Sequence, residues 1–243
     1  MSSDGLTFGI IGTNFISDWF VTAAGQTNGR IVPAAVFSRT TERGHEFASK
    51  HSIPEVFGDL RAMCEAVDVV YVASPTIVHH EQAMAAINAG RHVLIEKTMT
   101  STHAQAAKIF EAASSKGVVV MEATRHLHTP AYQAITRAIP RLGRLRYARF
   151  EKLQYSSRYE KVLAGETVNA FDPELGNSSL IDLGVYALEP AVDLFGRPLR
   201  QTGSSVHLPG GFEVAGSLQL VYEDLLVDVV YSKVLQSQSP SVI

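Results

Sequence analysis

Apolar residues in the first half of the chain come in two alternating textures. Short continuous runs at residues 6–11, 31–37, 67–72, 93–95 and 118–121 have the length and β-branched content of buried strands. Between them, residues 15–24, 41–50, 79–89 and 102–116 repeat their apolar positions at helical spacing. Gly25, Gly90 and Gly117 stand where these helices have to stop, because glycine takes the left-handed conformation that ends a helix without steric cost. Strand and helix in regular alternation predict a doubly wound parallel sheet with helices on both faces.

After Pro130 the alternation ends. A helix at 131–138 leads into a strand at 145–153, and residues 154–177 are polar with no clear period. A helical segment at 179–195 is then followed by strands at 202–208, 217–222 and 225–234. Elements grouped by type predict an α+β arrangement. The chain therefore divides into residues 1–123 and 124–243, with the junction between Ala123 and Pro130.

Composition narrows the class. At 243 residues, 46% hydrophobic and 19% charged, the chain reads as an ordinary α/β protein, and no run approaches the roughly 20 apolar residues of a membrane span. The N-terminus has no signal-peptide pattern and the single cysteine, Cys64, forms no internal disulfide, so a cytoplasmic location is the default expectation. A formal net charge of −3 without a basic block argues against nucleic acid and leaves a small molecule as the expected partner.

"FGIIGTNFIS" places Gly12, Thr13, Asn14, Phe15 and Ile16 between the first strand and the first helix, the position of the dinucleotide fingerprint G-x-G-x-x-G/A. A helix N-terminus there offers backbone N–H groups to a pyrophosphate. Asn14 occupies the second glycine position, where asparagine best tolerates left-handed backbone, and Ser17 the third, where a small residue permits close packing. An ordinary strand-to-helix turn would use the same residues. At the end of the second strand, Ser38 and Arg39, with Arg43 as helper, replace the carboxylate of an NAD-specific site and suit the 2′-phosphate of NADP; as solvated loop residues they would look no different.

In an open parallel sheet, ligands bind beyond the carboxyl ends of the strands. Lys97 stands there, directly after the apolar run 93–95, and a lysine at the edge of a partly dry crevice is suited to proton management. Its neighbour Glu96 is expected on the opposite side of the strand. Together, "FGIIGTNFIS", "SPTIVHHEQA" and "AAINAGRHVLIEKTMT" resemble the Gfo/Idh/MocA family of NAD(P)-dependent oxidoreductases, and the resemblance runs to about Val234. It implies a Rossmann domain over 1–123 and, over 124–243, an α+β substrate and oligomerisation domain with an open, mostly antiparallel sheet. Ser74, Pro75, Thr76, His79 and Glu96 then belong to the cofactor edge, and Lys97 touches both nicotinamide ribose and substrate. The family's proline after that lysine is Thr98 here. A cis bond before threonine costs roughly 2.5 to 4 kcal/mol, so a different backbone turn is expected to present Lys97.

"NSSLIDLGVYALEPAVDLFG" resembles the family's D-x-G-x-H/Y helix, with Asp182, Gly184 and Tyr186 in register. A spacing of four puts Asp182 and Tyr186 on one helix face, and Gly184 is expected to permit close approach by cofactor, substrate or backbone. The tyrosine and "MEATRHLHTPAY" are most similar to the dihydrodiol and xylose dehydrogenase side of the family, with Glu122, Ala123 and Pro130 fitting, Arg125 in the aromatic place as a substrate candidate, and Leu127 in the arginine place. His126 and His128 would share a strand face, but zinc needs a third ligand and none follows at suitable spacing, so no metal is expected. A serine nucleophile elbow is absent. The resemblance implies hydride transfer between NADP(H), with NAD less favoured, and a sugar, polyol or vicinal diol, with Lys97, Asp182 and Tyr186 as catalytic residues. The alternative is an NADP-binding sensor of the same fold without catalysis. Family members continue well beyond Ile243, which implies a chain cut short within the second sheet, and they form homodimers or larger homo-oligomers.

Overall fold

The computed structural model describes residues 5–243 as two compact units that divide between Ala123 and Thr124. In the first, β1 (Leu6–Ile11), β2 (Ile31–Phe37), β3 (Glu55–Phe57), β4 (Val69–Val72), β5 (His92–Ile95) and β6 (Val120–Glu122) form one sheet in the order β3-β2-β1-β4-β5-β6, with every pairing parallel. This is the doubly wound order, and its switch point lies between β1 and β4. Phe8, Ile10, Val36 and Tyr71 pack on α1 (Phe15–Ala24) and α2 (Thr41–His51), while Ile11, Val70, Val72, Val93 and Ile95 pack on α3 (Leu60–Ala66), α4 (His79–Asn88) and α5 (His103–Lys116). Consecutive residues of one strand thus serve opposite cores, which is why these strands read as continuous apolar runs.

Two elements escape the sequence pattern. β3 has three residues and α3 seven, too few to establish a period. Gly25 also departs from expectation: its φ is −58°, the chain runs on through a tight 3₁₀ turn at Gly25–Thr27, and Asn28 (φ 54°) makes the left-handed stop. Pro33 lies inside β2, where it offers no N–H to the ladder, and the register with β1 slips by one residue beside it.

The second unit runs α6 (Pro130–Ala138), β7 (Tyr147–Leu153), α7 (Tyr159–Leu163), a π-helical turn (Leu180–Gly184), α8 (Val185–Phe195), β8 (Arg200–His207), β9 (Glu213–Val221) and β10 (Leu226–Ser232). Its sheet, β7-β10-β9-β8, is antiparallel except for the β7–β10 pair. Ala187 and Ala191 of α8 lie against Ala148, Phe150, Val227, Val229 and Tyr231 in one core. The opposite face is polar: Asp228 accepts hydrogen bonds from Tyr147 and Gln219. Residues 154–177, patternless in sequence, form α7 and two short 3₁₀ turns. Among the described residues no helix is long and apolar enough to cross a membrane.

Candidate active site

Gly12 turns the chain out of β1 at φ 102°, a conformation that a side chain resists, and a Cβ there would lie 2.6 Å from the Ala73 carbonyl oxygen at the end of β4. Asn14 also braces this carbonyl, donating through Nδ2 at 2.6 Å. Its backbone is extended (φ −108°, ψ 178°) rather than left-handed, because the residue serves as N-cap: Oδ1 accepts from the N–H groups of Ile16 and Ser17 at 3.0 and 3.3 Å. The buried Ser17 hydroxyl donates to the Gly12 carbonyl at 2.7 Å, so the third fingerprint position closes the turn as well as allowing close packing. Thr13 lines a hollow of about 300 Å³ with Asp18, Arg43, Glu46, Phe47 and Lys50. Lys50 and His51 both reach Asp18, at 2.8 and 2.6 Å, and their hydrogen bonds hold its carboxyl below the usual range.

At the end of β2, Ser38 accepts from the Thr40 N–H at 3.3 Å and its own O–H still has a proton to donate. Gly44 lets α2 close on this point, since a Cβ there would meet Ser38 Cβ at 3.2 Å. Arg39 and Arg43 are exposed, and among the described residues no ion pair holds either. A glycine-turned first loop with two uncommitted guanidinium groups near it fits a phosphorylated dinucleotide.

The segment from β5 into Lys97 is gripped from three sides. Glu96 turns inward, taking the buried Tyr71 hydroxyl at 2.6 Å and the Lys97 N–H at 3.3 Å. Burial and the Glu96 carboxylate both push the Tyr71 phenol upward, so it stays a donor. His79 is 1% exposed, with Nε2 2.8 Å from the Ser74 carbonyl and Nδ1 3.1 Å from the Thr98 carbonyl. A neutral ring has one N–H, so His79 donates to one of these two carbonyls and packs its other nitrogen against the second, lying between the Pro75 turn and the Lys97 turn. Glu122 completes the grip by accepting the Met99 N–H at 2.6 Å. The Lys97–Thr98 peptide is cis, which corrects the sequence expectation of a different turn; the side chains that reach this stretch, His79 and Glu122, are distant in sequence and leave no trace at position 98. Ser74 donates to Gln82 at 2.6 Å, and Thr76 is buried at the head of a 3₁₀ turn, Thr76–Val78.

In the second unit Asp182 lies on a π-helical turn and Tyr186 in the first turn of α8, so the pair spans the junction of two helical forms rather than one continuous α-helix. Past Tyr186, Pro190 lacks the N–H that would close an α-helical bond to the Tyr186 carbonyl. Tyr186 is half-buried, with the His126 ring edge-on at 4.9 Å and Lys152 Nζ 6.0 Å above its ring. His126 and His128 fall on a 3₁₀ turn, Arg125–His128, instead of a strand, and His126 Nε2 lies 3.0 Å from Glu189. Arg125 is exposed at the start of that turn. Among the described residues no three His, Cys, Asp or Glu side chains gather as metal ligands.

Three residues absent from the sequence reading build this region. A Cβ on Gly184 would meet Tyr231 Cγ at 2.9 Å, and one on Gly216 would meet the Tyr231 hydroxyl at 2.3 Å, so both glycines make room for that ring and not for a ligand. Tyr231 donates to Glu213 at 2.7 Å, and Glu213 accepts the Leu180 N–H that opens the π turn at 3.1 Å. Lys233 places Nζ 2.9 Å from Asp182 Oδ2. Its position was readable as the next member of the inward face 227, 229, 231, where a lysine is out of pattern.

A doubly wound sheet with this first turn and phosphate-suited arginines defines a dinucleotide-binding α/β protein. Residues 6–124 match the family model described as "Oxidoreductase family, NAD-binding Rossmann fold" of the GFO_IDH_MocA group. The chain is 38% identical over 238 residues to scyllo-inositol 2-dehydrogenase (NADP(+)) IolU of Bacillus subtilis, covering 97% of this chain and 72% of that protein. It is 32% identical over 197 residues to trans-1,2-dihydrobenzene-1,2-diol dehydrogenase of Macaca fuscata fuscata, covering 79% of this chain and 56% of that one. Levoglucosan dehydrogenase, solved with NADH and levoglucosan, superposes on 97% of this chain and 69% of its own with a TM-score of 0.89 at 19% identity, a likeness of fold. The chain belongs to the Gfo/Idh/MocA family and is an NAD(P)-dependent oxidoreductase.

Proposed function

We propose that the protein is an NADP(H)-dependent dehydrogenase or reductase acting on a secondary alcohol or hemiacetal carbon of a sugar, polyol or vicinal diol. The observation that carries this reading is the likeness, along nearly the whole chain, to an inositol dehydrogenase named for NADP(+). The uncommitted Arg39 and Arg43, with Ser38, favour a 2′-phosphate over a bare ribose hydroxyl. When bound, NADP supplies the carbon that gives or accepts the hydride.

The chain's own residues then bind, orient and manage the proton. Gly12, Thr13, Asn14, Phe15 and Ile16 carry the pyrophosphate turn, with Ser74, Pro75 and Thr76 at the cofactor edge. His79 and Glu96 serve from behind, fixing the turn that carries Lys97. Lys97 donates a hydrogen bond to the reacting oxygen and offsets the negative charge that develops there. The Tyr186 hydroxyl serves as the proton donor in the reductive direction. Asp182 accepts a neighbouring substrate hydroxyl, and Arg125 donates to another substrate oxygen.

The test is turnover followed by nicotinamide absorbance across aldoses, inositols and vicinal diols, with NADP and NAD in parallel. NADP-linked activity is expected, and Lys97→Met should lower it by roughly 10²- to 10⁴-fold with NADPH binding retained. A protein that binds NADPH and turns over none of the panel overturns the reading.

A further inference from the structure

We infer that Lys233 is a positioning residue that fixes Asp182 as an ionised carboxylate, making the second unit selective for a neutral, hydroxyl-bearing substrate. The substrate half of this inference rests on the dehydrogenase reading; the lysine half rests on geometry alone. Lys233 is 3% exposed, and its Nζ lies 2.9 Å from Asp182 Oδ2, donates to the Ala170 carbonyl at 2.7 Å, and stands 4.7 Å from the Phe171 ring centroid and 5.4 Å from that of Phe212. Its backbone is held too, by donation to the Val214 carbonyl at 2.9 Å. With stem, backbone and two of three ammonium donors committed, the cation is delivered to one point and the carboxylate must meet it there.

Stability alone does not account for the arrangement. A lysine is almost never buried this far, and an apolar residue between two phenylalanines would avoid the desolvation that a buried ion pair incurs. Asp182, by contrast, keeps 41% of its side chain exposed, so the pair runs from a buried cation out to a carboxylate that faces ligand-accessible space. A carboxylate has about four acceptor positions, so an ammonium at one oxygen does not saturate it. A fixed anion accepts hydroxyl protons and repels carboxylate or phosphate groups on a substrate.

Other charged groups stand on the elements packed against this segment. Glu213 of β9 takes the Leu180 N–H and the Tyr231 hydroxyl, Lys152 of β7 stands over the Tyr186 ring, and His126 lies 3.0 Å from Glu189.

The experiment follows the Asp182 carboxylate carbon by ¹³C NMR titration in wild type, Lys233→Met and Lys233→Arg, assigning the signal by its loss in a Lys233→Met, Asp182→Asn double variant. An adjacent cation favours the charged form, so the titration midpoint should rise by roughly one pH unit or more in Lys233→Met and return toward wild type in Lys233→Arg. With scyllo-inositol and NADP, Lys233→Met should lose roughly ten- to a hundredfold in kcat/KM, mainly through KM, more severely at lower pH. An unmoved midpoint overturns the inference, as does a moved midpoint with unchanged kcat/KM. If wild type turns over no polyol, the dehydrogenase reading fails while the titration still decides what Lys233 does.

Discussion

Around Lys97, side chains take hold of backbone: Asn14 grips the Ala73 carbonyl, His79 one of the Ser74 and Thr98 carbonyls that flank its ring, and Glu122 the Met99 N–H. Around Asp182, side chains also take hold of one another: Lys233 meets Asp182, Tyr231 meets Glu213, and His126 faces Glu189. The difference decides what each region tolerates. A brace that ends on a backbone atom is indifferent to the side chain at the held position. A brace between two side chains fails when either is changed, because the survivor is left without its partner.

Substituted glycines separate the two regimes, and the largest effect belongs to the first turn. Gly12→Ala has to place a side chain at φ 102° and push a Cβ into a carbonyl oxygen that is fixed to β4. A cost of about 3 kcal/mol or more is expected from conformation and clash together, read as loss of amide hydrogen-exchange protection in β1 and β4. Gly184→Ala comes next. Alanine would ordinarily gain roughly 0.5 to 1 kcal/mol in a helix, yet here the added methyl meets Leu180 Cδ1 and the Tyr231 ring at 2.9 Å. Overpacking of this kind costs about 1 to 3 kcal/mol, so the net change is destabilising. Both obstacles being side chains, the Tyr231 share of the penalty should be relieved in a Tyr231→Val background, leaving the Leu180 contact. A double-mutant cycle by denaturant unfolding measures that coupling, and additive effects would show that Tyr231 is not the obstacle.

The same contrast explains what was legible in the sequence. In the first unit the strands are continuous apolar runs because both faces are buried, and α1 and α5 carry their own N-caps in Asn14 and Thr102, so local pattern yields β1, β2, β5, α1 and α5 almost to the residue. The turn at Gly12 and the lysine after β5 are local features too, visible as motifs. What stayed hidden depends on distance along the chain: His79 reaches Thr98 across 19 residues and Glu122 reaches Met99 across 23. In the second unit the π turn has no sequence period of its own, and the pairs that shape it, Tyr231 with Gly184 and Lys233 with Asp182, join the end of β10 to a helix nearly 50 residues earlier. Lys233 did leave a signal, a charge on an inward strand face, but naming its partner required the fold.

The smallest effect is a pH dependence confined to the first unit. Burial holds the His79 imidazole below its usual value of 6.5, outweighing the Ser74 and Thr98 carbonyls, which act in the opposite direction. Below 6.5 the unfolded chain takes up a proton that the folded one resists, so stability is fully present above that pH and declines as pH falls toward the folded value. The slope approaches at most about 1.4 kcal/mol per pH unit. Asp18 and Asp68 are shifted as well, but their carboxyls are lowered from 3.8, which puts their contribution in a separate, more acid window. Hydrogen exchange in β4 and β5, corrected for intrinsic rates, should therefore lose protection between pH 7 and 5 while β10 of the second unit serves as reference. In His79→Gln the same amides should be less protected at pH 7 and insensitive to pH across that window, since the replacement can still donate to a carbonyl but has no proton to gain. A slope that persists in the variant would place the titrating group elsewhere and remove His79 as the clamp between the two turns.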